Sequence, residues 1–256
     1  MGKIIVITSG KGGVGKTTTA VNLGAAMNLF NEDVLIVDGN LTTPNVGLHL
    51  GAPEVPITLN HVLRNKAELF EAIYEHESGT KIMPASLSLE ELKKLKNNGD
   101  RIKHLKGDFK KISDYIIMDS AAGLGSEAQS AFDVADELII VTNPEMPSIT
   151  DALKTIKLAE QMKKPVKGVI VTRVRKNEHE MTPDIVKEML EIPILGMIPE
   201  DSSIQEALAS KDAIVHTHPD SNAARAYKEI AARILGVDYT PEPIKRKGFF
   251  SWLFGK

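Results

Sequence analysis

Residues Gly10-Lys11-Gly12-Gly13-Val14-Gly15-Lys16-Thr17-Thr18 bring four glycines, two lysines and two hydroxyls into nine consecutive positions. The pattern is G-x-x-x-x-G-K-[ST], which cradles phosphate where it joins a strand to a helix. Gly10, Gly12, Gly13 and Gly15 let the backbone curl until successive N–H groups point inward at phosphate oxygens. Lys16 brings a point charge to the β- and γ-phosphates of a nucleotide, and Thr17 offers a hydroxyl to Mg2+. A helix over about 16–29 adds the positive end of its dipole. Lys11 is surplus to this chemistry. Lys16 already serves the phosphates of one nucleotide, so Lys11 has no obvious task within a single subunit.

Such a loop must hang from the end of a strand, and Ile4-Ile5-Val6-Ile7 precedes it directly. Apolar runs recur along the chain and predict strands at about 3–8, 34–38, 81–84, 114–118, 137–142, 167–172 and 193–198. Helical spacing predicts helices at 16–29, 67–75, 88–96, 126–133, 148–163, 182–190, 203–210 and 221–235. Val34-Leu35-Ile36-Val37 and Leu138-Ile139-Ile140-Val141 are apolar at every position, as strands buried on both faces require. End-to-end alternation of strand and helix implies an α/β fold: a doubly wound, mostly parallel sheet flanked by helices. The expected organisation is one P-loop domain over 1–237, a linker over 238–247 where prolines and basic residues replace periodicity, and an amphipathic tail over 248–256.

With 256 residues, 42% of them apolar, the chain can build a sizeable core. It contains no cysteine, which excludes disulfides, thiolate metal sites, iron–sulfur ligation and cysteine nucleophiles. The net charge of −3 gives no general attraction to nucleic acid and argues against DNA as a partner. No apolar run approaches the ~20 residues of a membrane span, and no signal peptide precedes the first strand, so a cytoplasmic protein is expected. Among seven histidines only His216-Thr217-His218 forms a close pair, with no acidic cluster beside it in sequence, which speaks against a metal site there.

Mg2+ in a phosphate loop needs acidic partners at neighbouring strand ends. Asp38 closes the run Val34–Val37 and Asp119 closes Tyr115–Met118. Ligands gather at the carboxyl ends of strands in open α/β sheets, so both carboxylates are expected to face the loop. An Asp after a strand can also do no more than start a turn; the intact loop favours the metal role.

Lys11-Gly12-Gly13-Val14-Gly15-Lys16-Thr17-Thr18 resembles the deviant Walker A motif of the MinD/ParA family of ATPases. Asp119-Ser120-Ala121-Ala122-Gly123-Leu124 looks like that family's second switch, and Asp38 begins its first. Thr142-Asn143-Pro144-Glu145, Thr172-Arg173 and Ile198-Pro199-Glu200-Asp201, each just after a strand, extend the resemblance over about 1–236, with spacing nearer to MinD than to ParA. The resemblance implies ATP and Mg2+ as ligands and a homodimer in the ATP state, with Lys11 reaching the partner subunit's nucleotide. It implies that Thr17 ligates Mg2+ directly, that Asp38 and Asp119 hold it through water, and that Thr18 bonds the α-phosphate. Arg173 with Pro199, Glu200 and Asp201 would border the adenine. One position departs from the pattern. Where the family's first switch commonly reads Asp-x-Asp, this chain has Asp38-Gly39-Asn40. An amide orients water through its oxygen but is uncharged and a poorer proton acceptor, so slow hydrolysis is expected, with a protein activator of unknown identity.

The segment Gly248-Phe249-Phe250-Ser251-Trp252-Leu253-Phe254-Gly255-Lys256 holds three of the seven Phe and the only Trp of the sequence. On a helix, Phe249, Phe250, Trp252, Leu253 and Phe254 fill an arc of about 200°. Lys245, Arg246, Lys247 and Lys256 flank them, placed to meet lipid headgroups. Ten helical residues reach only ~15 Å, so the segment can lie on a membrane but not cross it. The tail could instead fold back into a groove of its own domain; the basic, proline-containing linker argues against tight docking there. MinD-like proteins carry a similar carboxy-terminal helix. The expectation is therefore a membrane-cycling ATPase that positions division, motility or array machinery, with reversible peripheral attachment to anionic membrane. The runner-up is a ParA-like DNA-partitioning ATPase, in which the aromatic tail would be idle.

Overall fold

The apolar runs assemble into one sheet. The computed structural model describes residues 2–95, 99–175 and 177–241. Strands β1 (Lys3–Thr8), β2 (Val34–Asp38), β3 (Tyr74–Glu75), β4 (Lys81–Met83), β5 (Tyr115–Asp119), β6 (Glu137–Thr142), β7 (Val166–Val174) and β8 (Ile194–Pro199) lie in the order β3-β4-β2-β5-β1-β6-β7-β8. Every neighbouring pair is parallel except the short edge hairpin β3–β4. The first half of the chain builds outward from β1 on one side and the second half on the other. β1 therefore sits at the point where the winding reverses, which is where open α/β sheets bind ligands.

Period-two alternation divides β1 between two cores. Ile5 and Ile7 pack on one face with Leu23, Ile214 and Tyr227, while Ile4 and Val6 pack on the other with Phe109 and Phe132. All of these side chains are buried, which explains why the runs carry no polar positions. The helices are α1 (Lys16–Asn28), α2 (Val46–His49), α3 (Leu59–Leu63), α4 (Leu89–Lys94), α5 (Gly99–Ile102) and α6 (Lys106–Ile112). They continue with α7 (Ser126–Val134), α8 (Met146–Gln161), α9 (Pro183–Leu190), α10 (Ser203–Ala209), α11 (Ile214–Thr217) and α12 (Asn222–Leu235). α1 and α12 lie together over the central strands. Tyr227 of α12 is fully buried, its hydroxyl 3.4 Å from Thr19 Oγ1 of α1, and burial pushes its phenol up to about 12. No described helix is long and apolar enough to cross a membrane.

Between β2 and β5 the sequence pattern holds for β4 and α4 and fails before them. Where a helix over 67–75 was expected, Leu69–Ala72 makes one 3-10 turn and Tyr74–Glu75 turns into the edge strand β3. Two local devices override helical spacing there. Glu71 accepts from the Glu68 N–H at 2.7 Å and closes the turn, and the Tyr74 hydroxyl is pinned by the Ile57 backbone at 2.9 and 3.0 Å. α2, α3 and the helical segment 99–112 carry too few residues for periodicity to be read. The proposed tail, 248–256, and most of the linker lie outside the described residues.

α1 must sit close on β2 to hold the loop that precedes it, and Gly24 permits this. A β-carbon there would lie 2.7 Å from Ile36 Cγ1. Gly24→Ala is expected to lower stability by about 1–3 kcal/mol through overpacking, seen as a lower urea midpoint with an unchanged slope. An unaltered midpoint would mean that α1 is not seated this tightly.

Candidate functional site

The loop between β1 and α1 curls as its glycines allow. Gly13 has φ +80° and Gly15 φ +87°, left-handed values that L side chains adopt only with strain. Gly10 is fixed by packing instead: a β-carbon would meet the Asp151 carbonyl oxygen of α8 at 2.3 Å. Val14 is buried, and its carbonyl accepts from Thr172 Oγ1 at 2.6 Å; that hydroxyl accepts in turn from Asn143 Nδ2 at 2.9 Å. Strand ends β6 and β7 thus brace the back of the loop. Gly12 and Gly13 are exposed, while Lys11, Thr17 and Thr18 are half-buried.

Parallel pairing of β2 with β5 sets Asp38 opposite Asp119, and both are fully buried. Asp119 takes both polar groups of the loop: Lys16 Nζ donates to one oxygen at 2.9 Å and Thr17 Oγ1 to the other at 2.5 Å. Asp38 has no cation. It accepts backbone N–H groups from Asn45 at 2.8 Å, Val46 at 2.9 Å and Asn40 at 3.2 Å. Burial and the charge of Asp119 push its carboxyl up to about 8, against the pull of those three bonds. Lys16 is committed to Asp119, so Asp38, once ionised, has no cation of its own. An oxygen-coordinated divalent cation suits that deficit, and Thr17, Asp38 and Asp119 supply the hard oxygen donors that Mg2+ prefers. His49, at the end of α2, is held below its usual range by burial, with the Asp119 charge pulling the other way.

The loop after β2 is folded on itself. The Asn40 amide donates to the Thr43 carbonyl at 2.7 Å and to Thr43 Oγ1 at 3.0 Å, and its oxygen accepts the Thr43 N–H at 3.1 Å. Asn40 is buried, with both ends of its side chain committed. The tip of the same loop is tied to the first turn of α7: Glu127 accepts the Thr42 N–H at 2.9 Å and the Thr42 hydroxyl at 2.6 Å. Sequence reasoning missed Glu127, Thr43 and His49. Their partners stand in other loops or across a turn, and no motif announces them. Thr172 and Asn143 stood inside recognised motifs without an assigned task.

Arg173 lies on a bulge of β7 with φ +56°, an uncommon conformation for a side-chain-bearing residue. With Gly15, Thr18, Pro199, Glu200 and Asp201 it lines a cavity of about 540 Å3 that opens from the loop. The structure therefore brings together all the residues expected around a base. The Glu200 and Asp201 carboxylates are engaged elsewhere, however. Glu200 pairs with Arg175. Asp201 accepts from Ser203 N at 3.0 Å and Ala223 N at 3.2 Å, fixing the starts of α10 and α12; burial raises its carboxyl, and these bonds win to leave it below the usual range. Lys11 lines a smaller cavity of about 270 Å3 with Gly12, Gly13, Asn143 and Glu145. Its ammonium makes no ion pair or hydrogen bond among the described residues.

The model of the CobQ/CobB/MinD/ParA nucleotide binding domain matches residues 5–214. An uncharacterised ATP-binding protein of Methanocaldococcus jannaschii is 37% identical over 257 residues, covering 98% of this chain and 97% of the relative. The septum site-determining protein MinD of Neisseria meningitidis serogroup B is 33% identical, with all of both chains covered. Among solved structures, MinD of Pyrococcus horikoshii complexed with Mg-ADP superimposes with a TM-score of 0.87 at 34% identity, covering 91% of this chain and 96% of that one.

The charge deficit at Asp38 has a measurable sign. Its folded-state affinity for the proton exceeds the unfolded one, from 3.8 up to about 8. Its contribution to stability is therefore full below the lower value and lost as pH rises through the upper one. In chelator, without nucleotide, the stability advantage of wild type over Asp38→Asn should shrink between about pH 5 and about pH 8. An advantage constant across that window would refute a proton on Asp38.

Proposed function

This chain belongs to the CobQ/CobB/MinD/ParA family of nucleotide-binding proteins, and from that membership we propose that it is an ATP-driven, membrane-cycling dimer of MinD type that positions a larger cellular assembly. The observation that carries the reading is Lys11. The loop's other lysine is taken up by Asp119, whereas the Lys11 ammonium stands at the outer rim of the loop with no partner among the described residues. A cation in that place suits the phosphates of a nucleotide on a second subunit.

The residues divide the work as follows. The curled backbone of Gly10 to Gly15 and the amine of Lys16 hold the phosphates, and Thr18 stands by the α-phosphate. Thr17, Asp38 and Asp119 would hold Mg2+, which would offset the charge of the phosphate oxygens. Arg173, Pro199, Glu200 and Asp201 enclose the base by shape, since the two carboxylates already have partners. Phosphoryl transfer depends mostly on positioning and electrostatics, and here the residue placed to orient water, Asn40, has both ends of its amide on Thr43. Hydrolysis is therefore slow, and an activating protein must reopen the loop.

Phe249, Phe250, Trp252, Leu253 and Phe254 supply the membrane contact. One such segment binds marginally, whereas two on an ATP dimer bind together, and avidity exceeds the single affinity by ~10²–10⁴. Attachment then follows the nucleotide state without any change in the tail itself, in a protein otherwise free in the cytoplasm.

Vesicles of anionic lipid should sediment the protein with ATP and far less with ADP. Lys11→Ala should abolish that difference while leaving ATP binding by the monomer within a few fold. Equal sedimentation in both nucleotides would sink the coupling. DNA-stimulated turnover without vesicle binding would favour a partitioning role instead. For the switch, Asn40→Asp removes the donor to the Thr43 carbonyl and adds an acceptor for the water proton. ATP turnover should rise by about 10-fold or more, and an unchanged rate would remove Asn40 as the cause of slow hydrolysis.

A further inference from the structure

One cavity lies apart from the loop and, save for a shared Pro199, from the base site. It measures about 860 Å3, within the range of roughly 300–1,000 Å3 that encloses drug-sized apolar ligands. It lies along the outer edge of the sheet. Val174 of β7, Met197 and Pro199 of β8, Met181 of the connection to α9, and Ala226 of α12 form its apolar walls. Glu180, Arg225 and Glu229 stand among its lining residues, two acids to one base.

The chain itself marks what belongs there. After α12 the backbone caps the helix at Gly236, with φ +73°, and turns back; Tyr239 packs edge-on against Phe30 with ring centroids 5.6 Å apart. Pro241, the last described residue, is itself part of the cavity wall. The fifteen residues that follow hold Ile244, three Phe and the only Trp, preceded by Lys245, Arg246 and Lys247. Seven residues lie between Pro241 and Phe249, and the eight steps can extend about 26 Å, more than enough for a segment that starts from the cavity wall. The composition of the segment complements the groove, apolar against the apolar walls and basic against the exposed Glu229.

We propose that this groove receives the chain's own segment 244–254, so that its aromatic side chains have two mutually exclusive sites, the groove and the membrane. The groove assignment stands on the cavity and Pro241. Its consequence, control of membrane affinity, rests on the membrane reading above. Docking is intramolecular and need only be weak to matter. If the tail is free for a fraction f of the time, the apparent membrane dissociation constant rises by 1/f. The groove also shares Pro199 and the β7–β8 bulge with the base cavity.

Trp252 is the only tryptophan, so its emission reports the tail alone in the full-length protein. Without lipid, emission should be blue-shifted relative to N-acetyltryptophanamide and independent of protein concentration. Ala226→Glu, which puts a charge in the apolar wall, and Glu229→Lys, which reverses the exposed rim, should each move it toward the free value. Melting and ATP binding should stay unchanged in at least the second variant. Both variants should bind anionic vesicles about 3- to 10-fold more tightly. Emission already at the free value, or a blue shift that neither variant alters, overturns the proposal, as does a blue shift that grows with concentration, which marks tail exchange between copies. Failure of the wild type to bind vesicles in ATP would instead strike the membrane reading and leave the fluorescence comparison standing.

Discussion

Two buried carboxylates facing one ammonium govern the geometry around the phosphate loop. Asp38 and Asp119 are paired because β2 and β5 run parallel in fixed register, and that register is held by strands apolar on both faces. A one-residue slip would turn either carboxylate into the opposite core. Lys16 and Thr17 are both held by Asp119, so neither is free for another partner as the pocket stands. Removing one partner of a buried pair is strongly unfavourable. A ligand that draws Lys16 from Asp119 therefore meets that cost unless a cation comes with it.

The same carboxylates anchor the loops that would sense this event. Asp38 gathers three backbone N–H groups of the segment after β2, and Gly39 N donates to the Asp119 carbonyl at 2.8 Å. Farther out, Glu127 grips Thr42 with both oxygens. The segment after β2 is thus tied to the end of β5 at its base and to α7 at its tip. The other side of the phosphate loop is braced by Thr172 and Asn143, both buried. Lys11 lines the cavity beside that braced wall, with Gly12, Gly13 and Asn143.

What the sequence disclosed follows the range of the forces involved. The strands were legible because burial on both faces leaves no polar position. The phosphate loop was legible because its chemistry constrains nearly every residue. The stretch from 41 to 112 was legible only at β4 and α4: elsewhere its turns are decided by single hydrogen bonds, such as that from the Glu68 N–H to Glu71, and these defeat helical spacing over so few residues. Glu127 was invisible because its partner lies 85 residues away in a loop. Glu200 and Asp201, expected beside a base, line one cavity with Arg173, yet their carboxylates serve Arg175 and two helix starts, which no motif announces. Asn40 was read as a weak water-holder, and the fold adds that its amide is consumed by Thr43.

These constraints bear on how a short tail could govern attachment. A tail with one destination has an affinity fixed by its own apolar area, and only the number of tails can change it. A tail with two destinations has an affinity set by the difference between two burials of the same side chains. Because 1.4 kcal/mol is a factor of ten, a groove that holds the segment only loosely is enough to move the threshold at which a dimer stays on a membrane. Loose holding is also what a proline-containing, basic linker permits. The objection that the linker forbids tight docking thus becomes the condition under which docking can be reversed by lipid, and avidity needs a threshold of that kind if one tail is to fail where two succeed.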